Sequence, residues 1–103
     1  MSTNRVQLKS AVHTLLNDVV EQCFRHLIHH PQSSDELNRI IKDATDEINY
    51  LMLKIDAHNH RQGTPDLDKH YESISKDLHK KSLLLMGRLQ KVQRGTISYQ
   101  RND

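Results

Sequence analysis

Six residues set the frame of this chain: Leu37, Ile41, Ala44, Ile48, Leu51 and Ile55. The steps between them are four, three, four, three and four, the a/d repeat of a helix that lays one seam against other helices. Ser33, with Glu36 three residues on, has the spacing of a capping box that satisfies two backbone N–H groups reciprocally. Gly63 follows just past the last residue that fits the repeat and is suited to end a helix. A helix over residues 33–60 is therefore the expected centre of the fold, and it has the character of a scaffold.

Two further helices flank it. Over residues 4–30, Leu8, Val12, Leu15, Leu16, Val19, Val20, Cys23, Phe24 and Leu27 form a broad apolar stripe at helical spacing. Phe24 and Ile28 are expected at the edge of that stripe, widening it toward its C-terminal end. Pro31 stops this helix, because the residue before a proline is pushed out of the helical region. Thr64 is a natural N-cap and Pro65 suits a first helical position. The third helix then carries Leu67, Tyr71, Ile74, Leu78, Ser82, Leu85, Leu89 and Val92 as its seam, over residues 65–94. The steps from Leu78 to Ser82 to Leu85 break strict alternation, a stutter that locally unwinds a supercoil. Gly95 is placed to end this helix, leaving 96–103 as a flexible tail beyond a bundle of residues 1–95.

Short connections force neighbouring helices to run antiparallel. The expected fold is all-α, an up-down-up antiparallel three-helix bundle of long, amphipathic, coiled-coil-like helices. The main variant keeps the helices and pairs them between chains, as a homo-oligomer. Composition agrees: 35% of the 103 residues are apolar, below the roughly 45–50% of ordinary domains, which suits narrow helical seams. In outline, three long helices with tight turns resemble the regulatory N-terminal bundles of syntaxins and spectrin-type modules, without any diagnostic residue.

No stretch is apolar enough for a signal core or a membrane span, and the one cysteine, Cys23, forms no intramolecular disulfide. The cytosol or the nucleus is the expected setting. No nucleophile triad, phosphate loop or cofactor motif is present, so no catalytic residue and no cofactor is assigned.

What remains is on the outer faces. Leu83 and Leu84 fall off the seam of the third helix, and Tyr50 and Leu53 off that of the second. Scattered exposed apolar residues are ordinary, yet four on two long helices point to a surface for self-association or a protein partner. Over residues 76–101 seven bases face one acid, Asp77. Lys76, Lys80, Lys91 and Arg94 share a narrow sector, a docking site for an acidic partner or ordinary solvation at a helix end. The expected function is a non-enzymatic interaction or assembly module, an adaptor or small subunit of a larger complex, with Tyr50, Leu53, Leu83, Leu84 and these four cations binding the partner. A basic nucleic-acid-binding protein is a further alternative, lacking interleaved aromatics and any groove-reading motif.

Eight histidines are the one hint of chemistry. Cys23, His26 and His30 share a face of the first helix and could offer a thiolate and two imidazoles to zinc. The bland alternative is a small core cysteine beside half-buried, hydrogen-bonded histidines. His58, His60 and His70 gather at the other end of the bundle, and His58 sits where titration would make assembly pH-sensitive. The segment Arg25-His26-Leu27-Ile28-His29-His30 resembles the arginine–four residues–histidine signature of HEPN-type ribonucleases. That resemblance implies RNA cleavage across a dimer by Arg25 and His30. It covers six residues, and His26 stands where those enzymes usually have a small polar residue.

Overall fold

A computed structural model describes residues 4–57 and 65–101, with side chains over 4–57 and 67–95. Three helices make up the fold: α1 (Arg5–His29), α2 (Ser34–Ala57) and α3 (Pro65–Arg101). Each packs against the other two, and the described residues contain no strand. The chain is an all-α three-helix bundle, and none of its described helices is long and apolar enough to cross a membrane.

Local chemistry sets the boundaries. Asn4 caps α1 through a reciprocal pair, its Oδ1 accepting the Gln7 N–H at 2.8 Å while its own N–H reaches Gln7 Oε1. At the other end His30 leaves the helical region just before Pro31, as the proline demands. α2 begins at Ser34, directly after Ser33, the residue expected to cap it. Ser33 also ends a one-turn 3-10 helix, Pro31–Ser33, with its N–H on the His30 carbonyl at 3.0 Å. The Glu36 carboxylate meets Arg39 and Arg88. Gly63, Thr64, His58 and His60 lie outside the described residues.

Ion pairs join the helices at both ends of the bundle. Asp56, near the end of α2, holds Arg5 at 2.6 Å and Lys9 at 2.7 Å, both in the first turns of α1. Arg88 of α3 holds Asp43 at 2.6 Å and Glu36 at 3.3 Å, both in the first half of α2. Where α2 ends, the His70 ring N–H donates to the Lys54 carbonyl at 3.0 Å, satisfying an acceptor left open by the helix terminus.

The seam of α2 differs from its strict alternation. Leu37, Ile40, Ala44, Leu51 and Ile55 are fully buried, whereas Ile41 and Ile48 are half-buried. A helix wedged between two neighbours buries a wider stripe than a two-stranded seam, so Ile40 enters the core from one flank and Ile41 slides to the other. In α3 the expected seam residues Leu67, Tyr71, Ile74, Leu78, Leu85 and Leu89 are buried, whereas Ser82 and Val92 are half-buried, and Ser82 Oγ donates to the His79 carbonyl.

Two expectations fail. Phe24 and Ile28 do not widen the α1 stripe but face outward, 49% and 76% exposed. At 3.6 residues per turn they sit about 120° and 160° from the stripe centred on Leu8, Val12, Leu16, Val19 and Cys23. Gly95 does not end α3, which runs on to Arg101 at 37 residues against 25 and 24 for the other helices. A glycine lowers helix propensity by about 1 kcal/mol without forbidding the helix, and no capping geometry there requires a left-handed residue.

Candidate interaction surface

The outer face of α3 is built by one repeat. Lys76, Lys80, Leu83, Gly87, Lys91 and Arg94 recur at steps of four, three, four, four and three, on the side opposite buried Leu78, Leu85 and Leu89. All six are exposed, and the row is about 27 Å long. Leu83 is 74% exposed and Leu84, beside the row, 57%. Gly87 lies mid-helix, and a Cβ added there would meet nothing within 4 Å, so packing inside the bundle does not require it.

Charge sorts along the same geometry. Of the bases in α3, Arg88 and Lys81 turn inward, Arg88 to Asp43 and Glu36 and Lys81 Nζ to Glu47 at 3.8 Å. The Asp43 and Glu36 carboxylates hold the Arg88 guanidinium even more firmly charged than usual. On the row, Lys76 has only a surface contact to Glu72 at 3.4 Å, and Lys80, Lys91 and Arg94 have no acidic partner among the described residues. The row therefore presents three cations with no acidic partner among the described residues, beside the Lys76–Glu72 pair at its N-terminal end.

Alongside the row runs the α2–α3 groove. Tyr50, Lys54, Lys76 and Lys80 line one end of it, and Lys54 Nζ sits 5.2 Å above the Tyr50 ring, close enough for a cation–π contact. The other end, lined by Asp43, Asp46, Leu84 and Arg88, is more enclosed, with a volume of about 420 Å³. Glu47 and Lys81 line both ends, and Glu47 Oε1 is buried without a hydrogen-bond partner.

The expected partner-binding residues divide between these places. Tyr50, Lys76 and Lys80 meet in the groove, Leu84 lines its other end, and Leu83, Lys91 and Arg94 stand on the outer row. Leu53 is 70% exposed but points away from the core on the far side of α2, apart from the rest. Reading the sequence alone missed Gly87, Lys54 and Glu47. A glycine inside a strong helical pattern was the available signal for Gly87; nothing in the sequence marks Glu47 as part of the groove.

The histidine face assembles no comparable site. Cys23 is fully buried, and burial pushes its thiol up to about 11, so the thiolate that zinc requires is disfavoured. His26 and His30 stack with ring centroids 4.4 Å apart, and burial together with the His30 and His29 imidazoles lowers the His26 pKa. Among the described residues no three His, Cys, Asp or Glu side chains are grouped to hold a metal ion. Arg25 lines a shallow cleft with Asp18, His26 and His29, and His30 is not among the residues that line it. No protein-family model matches the chain, and neither a curated protein nor a solved structure matches it.

Proposed function

We propose that this chain is a non-enzymatic helical interaction module, a subunit or adaptor within a larger assembly, that docks an acidic helical segment of another protein on the outer face of α3. The observation that carries this reading is the row itself: four cations, of which only Lys76 meets an acid, spaced as one helix presents itself to another, with exposed Leu83 beside an open Gly87. Cations alone would suit any polyanion. An exposed leucine next to a gap offers the knob and the hole of helix packing, which a phosphate backbone does not use. Leu84 extends the same surface into the α2–α3 groove. Tyr50 bounds it at the other end.

The test is co-purification of the tagged full-length chain, comparing the wild type with a Leu83→Glu/Leu84→Glu variant whose helicity is confirmed by circular dichroism. Both leucines are exposed, so the variant folds, and its stably enriched protein partner is lost. His30→Ala keeps that partner. An unchanged partner set with the double variant would remove the basis for the proposal.

A further inference from the structure

The outward turn of Phe24 and Ile28 exposes a second surface, on α1. Val6 is 77% exposed on the same side of the helix, and the positions between them on that side are exposed as well: Ser10, His13, Asn17 and Glu21. The steps from Val6 to Ile28 are four, three, four, four, three and four. They form two eleven-residue repeats of about 3.67 residues per turn, which keep a contact line nearly straight along a helix. The line is about 33 Å long. None of these side chains makes a hydrogen bond or an ion pair with another described residue, in a chain where 27% of residues are charged. The face is uncommitted, and only Glu21 on it is an acid or a strong base.

The spacing reads the same in both directions, with Asn17 at its midpoint. An isologous two-fold contact requires that if one residue meets a second, the second meets the first. Laid antiparallel on a copy of itself about Asn17, this row pairs Val6 with Ile28, Ser10 with Phe24, and His13 with Glu21. Asn17 meets its own equivalent on the axis. Val6 and Ile28 meet at each end, Phe24 lies over the small Ser10, the lone carboxylate faces an imidazole, and an asparagine amide, both donor and acceptor, faces an asparagine amide. A single buried asparagine pair is also a device that fixes register in helical interfaces. We infer that α1 is a homodimerisation surface, closing two copies of this chain antiparallel about Asn17 and leaving the α3 row of each copy free. The cationic row cannot serve that purpose, because a copy laid on it would oppose like charge to like charge.

The first measurement is molar mass by light scattering on the full chain, from low micromolar to near-millimolar concentration. The expected result is a reversible shift from the 12.0 kDa chain mass toward twice that value. Phe24→Glu/Ile28→Glu holds the protein at the monomer mass, with an unchanged circular dichroism spectrum because both side chains are exposed. Register is read by oxidation of single-cysteine additions, since Cys23 is buried in the core. Asn17→Cys couples to itself on the axis. Ser10→Cys does not, because its two copies lie about 21 Å apart along the helix axis, far beyond the ~7 Å Cα separation a disulfide tolerates. A monomer at every concentration would overturn the inference. So would a dimer indifferent to Phe24→Glu/Ile28→Glu, or one in which Ser10→Cys couples as readily as Asn17→Cys, the mark of a parallel pair.

Discussion

Gly87 separates the demands of folding from those of binding, and replacing it with alanine tests both. It sits in the interior of α3, where glycine is about 0.8–1.0 kcal/mol less favourable than alanine. The new methyl meets nothing within 4 Å, so no clash offsets the gain. The unfolding entropy of globular proteins is about 2.1 cal/mol/K per residue, or about 0.22 kcal/mol/K for this 103-residue chain. The expected rise in Tm is therefore about 4 °C, read by circular dichroism at 222 nm and checked by urea midpoint. The same methyl stands on the line where a partner helix approaches closest. Overpacking one side chain there costs about 1–3 kcal/mol of affinity, so Gly87→Ala is expected to be more stable and to bind more weakly. A Tm that falls or does not move would mean that the helix interior does not bear the cost assigned to this glycine. A gain in Tm with undiminished partner binding would mean that α3 is not approached at Gly87.

Four further outcomes follow from the same packing. Ile40→Ala should cost about 2–5 kcal/mol in urea unfolding, and Ile41→Ala distinctly less, because only Ile40 is fully buried; equal costs would restore the strict alternation. Native Cys23 should resist Ellman's reagent at pH 8, its thiol pushed up to about 11 by burial, and react fully in urea. Hydrogen bonds from Lys9 and Arg5 hold the Asp56 carboxyl below 3.8, its ordinary value. The folded state then binds fewer protons than the unfolded one, so this contribution is complete above 3.8 and is lost as pH falls below it; Asp56→Asn should flatten that acid limb. His26 is likewise held below 6.5, so the unfolded chain takes up its proton first and stability declines as pH falls through that value; His26→Gln should remove that decline.

Much of the bundle was legible because its signals are local. Leu37, Leu51 and Ile55 announce a helix by spacing alone, and Pro31 its predecessor's end. Exposure of Leu83 and Leu84 follows from four consecutive apolar residues on α3, which cannot all face one core. Other features depend on what lies alongside. Ile40 displaces Ile41 because α2 has two neighbours, and no single-helix pattern reports how many helices flank it. Phe24 was expected at the edge of the apolar stripe, yet its direction is set by where α2 and α3 sit around α1. Gly95 carried the usual meaning of a helix stop, while the helix runs past it to Arg101. The division of basic residues was hidden for the same reason. Arg88 and Lys91 are three positions apart, and only the acids of α2 decide that one ties the bundle while the other stays outside.

Site-specific photo-crosslinking tests the central claim most directly. A photoreactive phenylalanine analogue placed at Leu83 lies on the cationic row, and one at Asn38 lies exposed on the outer side of α2, away from α3. Irradiated in cells, the full chain substituted at Leu83 should yield a discrete heavier adduct containing a second protein with an acidic helical segment, and the Asn38 version should yield none. Adducts from Asn38 of equal intensity, or none from Leu83, would contradict the assignment of the α3 outer face as the docking surface.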